Sequence, residues 1–456
     1  MTEIAKILAF FRRGIFFAHR NPSHIDKNRH LGTMLRKDTG VLHLCLIFFS
    51  IPFILFGQYS SKDILYFQKS GAVLLESNSH LFEGKRIGIV SHASALSRGI
   101  WDNKLNRLDT NGFQNPIHTV DRFIDNNWNV IKVFSPEHGF RSDAPAGEVI
   151  SDAIDYKTGL PIISLYGKNK KPSVEDLEDL DILVFDLQDV GVRFYTYIST
   201  LSLVMEACAE NGKGLIVLDR PNPFSSIVSG PTLDTSYSSF VGMHPVPVIY
   251  GLTIGEYAKM VKGEGWIQNS EILDLTVLTI PFFKREISVN PIPPSPNLPN
   301  LNSILLYPSL CLFEGCPVSV GRGTDYPFEV IGAPWYKDKT FVFTPKKNSG
   351  SKYPKFEKQI CYGDDLRNSG KTSTGFNIDY ILEYFDAWNR LAPEVSKKST
   401  NESFFSNFFD KLAGSDALRK QIEKGLNASE ISKSWEKDLR DFKENIRHKY
   451  ILYPVD

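Results

Sequence analysis

The sequence predicts an α/β protein, a Rossmann-like open parallel sheet followed by a smaller, mixed α/β auxiliary domain. Three observations carry that expectation. Short, almost unbroken apolar runs recur from Arg86 onward, and most are followed by a stretch with helical spacing. Strands that are apolar on both faces belong in a parallel sheet covered by helices on each side. Near residue 270 the alternation stops, and a proline-rich stretch leads into a differently patterned second half.

The elements can be justified in order. "RIGIVS" (Arg86–Ser91) is a β-branched run ending in small residues. "NPIHTVDRFIDNNW" sets Ile117, Val120, Phe123 and Ile124 on one helical face. "NVIKVFS" reads as the second strand, and "SVEDLEDL" as a helix opened by a Ser173 cap and first-turn acids. "DILVFDL" (Asp181–Leu187) is the third strand; "YISTLSLVMEACAENGK" is an amphipathic helix stopped at Asn211–Gly212. "GLIVLD" (Gly214–Asp219) is the fourth strand, and a fifth is expected at "PVPVIYG". The helix "TIGEYAKMVKGEG" comes next, with Thr253 as cap and Glu256 three residues on. The expected domains are an N-terminal extension over 1–74, the sheet domain over 75–270 and the auxiliary domain over 271–456. "NPIPPSPNLPNLNS" crosses between the two domains in extended form, and the chain ends in a helical tail.

The extension carries "VLHLCLIFFSIPFILFG" (Val41–Gly57), almost wholly apolar, behind the basic "MLRKDTG". Met34 onward has the order of a secretory signal, which would make Met34 the true start; the alternative is an N-terminal membrane anchor. Either way the rest of the chain is expected in the periplasm or outside the cell.

Composition excludes several classes. Lys plus Arg equal Asp plus Glu at 52 each, so no basic surface for nucleic acid is expected. The five cysteines form no C-x-x-C pair and there is no H-E-x-x-H, so neither zinc nor an iron–sulfur cluster is expected. G-x-G-x-x-G and the P-loop are absent, which leaves a nucleotide site unsupported and no cofactor expected. The nucleophile elbow G-x-S-x-G is absent too.

In open α/β sheets ligands bind beyond the carboxyl ends of the strands. The residues just after each apolar run are therefore the candidates. "SPEHGFR" offers Glu137 and His138, the second as an orienting group. "DLQDVGVRFYTY" offers Asp186, Gln188, Asp189, Arg193 and Tyr195; "DRPNP" offers Asp219, Arg220 and Asn222. In the second half "LFEG" holds Glu314 and "GRGTD" holds Arg322 and Asp325. Glycines around such charges let a loop approach a ligand closely. Each acid also has a structural reading, as a helix cap or an ion-pair partner.

Taken together, "SPEHGFR", "GLPIISLYGKNKKPS", "VFDLQDVGVRFYTYISTL", "VLDRPNP", "YGLTIGE", "PPSPNLPNL", "YPSLCLFEG" and "SVGRGTDYPFEVIGAPW" resemble the NamZ family over roughly residues 80–456. The resemblance implies an exo-acting β-N-acetylmuramidase. Such an enzyme releases N-acetylmuramic acid from the non-reducing ends of peptidoglycan fragments. It implies Glu137 as the catalytic acid and, more distantly, Glu314 as a second catalytic carboxylate. Two positions depart from the family motifs: Ser142 replaces the final glycine of P-E-H-G-F-R-G, and "SHAS" replaces a T-N-x-[TS] turn. Glycoside hydrolysis needs a second role besides the acid. Glu314, Asp186 or Asp189, and the substrate's own acetamido group all stay open for it. Arg193 and Arg322 are the expected cations for the lactyl carboxylate. The competing reading is a cell-envelope module that binds muropeptide without cleaving it.

Overall fold

The computed structural model describes residues 70–102, 107–109, 116–137, 139–141, 153–285, 292–368, 375–391 and 403–454. The apolar run Val41–Gly57, the expected start at Met34, His138 and Ser142 lie outside the described residues. Among the described residues no helix is long and apolar enough to cross a membrane.

The apolar runs become the strands β1 (Ile87–Ser91), β2 (Val130–Ser135), β3 (Ala153–Ile154), β4 (Pro161–Ser164), β5 (Ile182–Asp186) and β6 (Gly214–Leu218). An antiparallel pair comes next, β7 (Val228–Thr232) with β8 (Pro247–Tyr250), and then β9 (Leu275–Leu278). The main sheet has seven strands in the order β9-β6-β5-β1-β2-β4-β3. All its pairings are parallel except that of β3 with β4. Its register sets Ser91 beside Asp186 and Ser135 beside Ser164, so the strand ends form one edge.

Side chains alternate between two cores, as a pleated strand requires. Ile87, Ile89, Ile182, Val184, Ile216 and Leu218 point to one face. There they meet Val120 and Phe123 of α1 (Thr119–Asp125). Val90, Leu183, Phe185, Leu215 and Val217 point to the other, against α3 (Tyr197–Glu210) and α4 (Ile254–Gly263). The short α2 (Val174–Leu177) leads into β5. The expected caps form: Ser173 with Asp176 and Thr253 with Glu256 each close a reciprocal pair of bonds to the backbone. Helix α1 starts later than its spacing suggests. Ile117 belongs to a two-residue strand and Ile124 is exposed. His118 takes the cap, its Nδ1 accepting from the Val120 N–H.

One strand is corrected. "PVPVIYG" is buried as expected, but β8 pairs antiparallel with β7 and bridges Val192 to Ile249 instead of joining the main sheet. The place beside β6 goes to β9. An apolar run reports burial and does not say which sheet the burial serves. Strand β4, opened by Pro161, is an addition to the strands expected from the pattern.

After β9 comes the proline-rich stretch, described from Ile292 on; in place of the expected extended form it turns back on itself between Ser295 and Leu298. Its Pro294 carbonyl accepts hydroxyl hydrogens from Tyr195 (3.0 Å) and Tyr197 (3.3 Å). Beyond it lie α5 (Leu301–Leu310), the small antiparallel sheet β10 (Val330–Ala333), β12 (Cys361–Asp365) and β11 (Phe341–Phe343), then α6 (Asp379–Leu391) and α7 (Asn407–Ala413). These elements share one core with the main sheet, from Val90 and Phe185 through Tyr307 and Tyr384 to Phe409 and Phe442. The tail returns to the sheet, where the Tyr453 hydroxyl donates to Asp219 (2.5 Å).

Candidate active site

A cavity of about 440 Å³ opens at the carboxyl ends of β2, β4 and β5, beside β1 where the strand order reverses. That is the place the α/β topology assigns to a ligand. Glu137 reaches it from the loop after β2. Pro136 cannot extend the ladder, and Gly139 turns the chain at φ 80°, a conformation that a side chain disfavours. Tyr166 enters from the loop after β4, Phe194 to Thr196 from the loop before α3, and Tyr197 from the first position of that helix. Tyr307 and Cys311, Glu314 in the 3₁₀ turn after α5, and Arg322 form the opposite wall.

Glu137 is half-buried. Its carboxylate accepts from the Thr196 hydroxyl (3.2 Å) and from the Tyr166 hydroxyl. Burial, and after it the Glu137 charge, pushes the Tyr166 phenol up to about 12, so it remains a donor at neutral pH. Four residues after Glu137, Arg141 holds Asp155 by two bonds of 2.8 Å and Asp121 by one of 3.1 Å. Glu314 is placed differently. It is paired with the Arg322 Nε at 2.5 Å, both side chains about a quarter exposed (26% and 27%). The Arg322 guanidinium also lies over the Phe328 ring, 5.0 Å from its centroid. Burial is the largest single influence and acts to lower the Arg322 pKa, but the charge and hydrogen bond of Glu314, with Tyr307 and Cys311, together turn the net shift upward. One acid thus has hydroxyl partners and the other a cation. Paired catalytic carboxylates need such unlike surroundings.

The other sequence-derived candidates divide sharply. Tyr195 lines the cavity, with its hydroxyl committed to Pro294. Asp186, Gln188, Asp189, Arg193, Asp219, Arg220 and Asn222 are buried and do not line it. Asp186 binds Arg220 through two oxygens (2.5 and 3.0 Å) and takes the Thr119 hydroxyl (2.5 Å). Asp219 takes the amides of Arg220 and Gly255 and the hydroxyls of Thr253 and Tyr453. Asp189 takes the Gly191 amide and the Tyr250 hydroxyl. Gln188 donates to Pro221 and Asn222 to Leu252, fixing the loops. Arg193, expected to face a substrate carboxylate, donates instead to four carbonyls: Pro231, Val246, Leu412 and Ala413. It ties the end of α7 to the β7–β8 region. Asp325 lines a neighbouring groove of about 530 Å³ rather than this cavity.

Tyr166 and Thr196 are site residues that the sequence pattern does not single out. Tyr166 stands two residues beyond "PIIS", and recognising that run as a strand would expose it by the strand-end rule.

Family models for "Exo-beta-N-acetylmuramidase NamZ" match here, the N-terminal one over residues 105–302 and the C-terminal one over 305–453. The chain belongs to the NamZ family. It is 37% identical over 403 residues to the peptidoglycan beta-N-acetylmuramidase NamZ of Bacillus subtilis (strain 168), covering 83% of this chain and 90% of that protein. Two crystal structures of DUF1343 family proteins from Bacteroides fragilis NCTC 9343 are similar. One is 39% identical with a TM-score of 0.72, the other 30% with 0.68; each spans 85% of this chain and 99% of its own. NamZ membership makes this chain a glycoside hydrolase.

Proposed function

We propose that this chain is an exo-lytic β-N-acetylmuramidase that removes N-acetylmuramic acid from the non-reducing ends of peptidoglycan fragments. The observation that carries the reading is Glu137, held by Thr196 and Tyr166 at a strand end inside a cavity it shares with Glu314. About 440 Å³ is toward the small end of ligand sites, which run roughly 300–1,000 Å³. That size suits a terminal sugar better than a long strand passing through. Tyr195, Tyr197, Tyr307, Phe240 and Phe328 supply the aromatic walls.

In this reading Glu137 protonates the leaving glycosidic oxygen. Glu314, oriented by Arg322, activates water or attacks, or the substrate's acetamido oxygen attacks while Glu314 orients it. The substrate would be met outside the cytoplasm, in keeping with the signal-like Val41–Gly57. Digestion of peptidoglycan fragments tests the exo assignment. Free N-acetylmuramic acid should appear from the first time points, one per fragment that carries it at the non-reducing end, leaving each such fragment one sugar shorter. An early spread of internal fragments without the monosaccharide would reject it.

A further inference from the structure

The proposed substrate differs from N-acetylglucosamine by a lactyl ether that ends in a carboxylate. A site that selects it needs a cation whose charge is not already spent. Neither arginine suggested by the sequence fits. Arg193 is buried on four backbone carbonyls, outside the cavity lining. Arg322 does line the cavity, but it is paired with Glu314, and an anion docked there would meet that carboxylate's charge.

Lys170 also lines the cavity. Its ammonium donates to the Gly167 carbonyl at 2.7 Å and lies 5.2 Å from the centroid of the Phe240 ring. Among the described residues no carboxylate pairs with it, whereas the adjacent Lys171 is held by both Glu206 and Glu210 at 2.7 Å. Lys170 thus keeps donors to spare, beside an apolar ring that makes a charge-assisted bond stronger than it would be in open water. The same loop carries Tyr166, which touches Glu137. One loop therefore reaches both the proposed acid and a cation four residues further on.

We propose that Lys170 is the specificity-determining residue of this site, binding the lactyl carboxylate of the terminal N-acetylmuramic acid. The inference rests on the muramidase reading above. Its role is in binding, so the Lys170→Met variant should raise KM for a chromogenic β-N-acetylmuraminide roughly 10- to 100-fold with kcat little changed, the scale of one charge-assisted bond. Lys170→Arg should recover part of that loss.

Binding measured by calorimetry, independent of turnover, separates the two claims. Free N-acetylmuramic acid should bind the wild-type chain more tightly than its methyl ester does, and Lys170→Met should erase that preference. If the wild-type chain hydrolyses muraminides and Lys170→Met binds the acid as tightly as wild type, the Lys170 assignment is overturned while the muramidase reading survives. If hydrolysis is absent but the Lys170-dependent preference is present, the assignment stands and the hydrolytic reading fails. If the wild-type chain does not distinguish acid from ester, the assignment is overturned.

Discussion

Two sets of carboxylates stand out in the sequence as candidates for one site, and they do different work. Asp186, Asp189 and Asp219 turn inward, where amides, hydroxyls and an arginine of the protein surround them. Glu137 and Glu314 face a cavity and keep room for a further partner. The difference lies in how the chain leaves each strand. After β2, Pro136 and Gly139 swing the chain away at once, so Glu137 stands clear. Asp186 is the last residue of β5, and Asp219 comes directly after β6. Their side chains stay within the packed layer and stabilise the loops around the site. A charge at a strand end marks the functional edge of the fold without marking the functional residue.

The largest effects should separate these two sets. Glu137→Gln is nearly isosteric, and it should lower hydrolysis of a chromogenic β-N-acetylmuraminide by about 10²–10⁴ with the unfolding midpoint unchanged. Near-normal turnover would remove Glu137 from the mechanism. Asp186→Ala should do the reverse. It leaves the Arg220 guanidinium buried without its carboxylate, a loss on the order of 3–5 kcal/mol in denaturant unfolding. A stable but inactive Asp186→Ala protein would move Asp186 into the catalytic set.

A smaller effect concerns pH and belongs to the interior alone. Burial lowers His244 to about 4; its Nε2 meets the Ser202 hydroxyl at 2.8 Å and its ring stacks on Trp266. A histidine lowered in this way binds fewer protons folded than unfolded between about 4 and 6.5. Its contribution is complete above about 6.5 and is lost as pH falls toward 4. His118, also lowered to about 4 by burial, acts in the same direction. Asp219, raised to about 7, and Asp189, raised to about 6, both chiefly by burial, act oppositely. Their contribution is present at low pH and is lost as pH rises through those values. The overall slope therefore mixes opposed groups, and a difference between variants isolates one of them. His244→Phe keeps the stack on Trp266. Against wild type it should lose less stability between pH 6.5 and 5, by roughly 2 kcal/mol at about 1.4 kcal/mol per pKa unit. Parallel curves for the two proteins would show that His244 does not carry this dependence.

Much of the fold is legible in the sequence because its cause is local. The four apolar runs from Arg86 to Asp219 and the caps at Ser173 and Thr253 depend on short-range pattern, and the structure has them. Strand β8 goes to a different sheet from the one its pattern suggests because pairing is non-local: Ile249 finds Val192 and β7, and nothing in "PVPVIYG" encodes those partners. The site divides along the same line. Glu137 can be read from a strand end, a proline and a glycine. That Arg193 is used up on the carbonyls of Leu412 and Ala413, some 220 residues away, cannot be read locally. Tyr166 escapes because β4 is short and opens with a proline.

The smallest expected effect probes how Glu137 is held. Thr196 donates to its carboxylate at 3.2 Å, and Tyr166 donates from the loop after β4. Neither residue needs to touch the breaking bond, so both are positioning residues. Thr196→Val preserves shape and removes one donor; Tyr166→Phe removes the other. Each bond is worth about 0.5–1.5 kcal/mol, so each variant should lower kcat roughly 3- to 10-fold while KM for the muraminide stays near the wild-type value. The two donors act on one carboxylate, so their effects should not add. With one bond lost, Glu137 still has the other to orient it; with both lost it is free to turn, and the double variant should fall below the product of the single losses. Strict additivity, or a rise in KM instead of a fall in kcat, would place the two hydroxyls in sugar binding rather than in the support of Glu137.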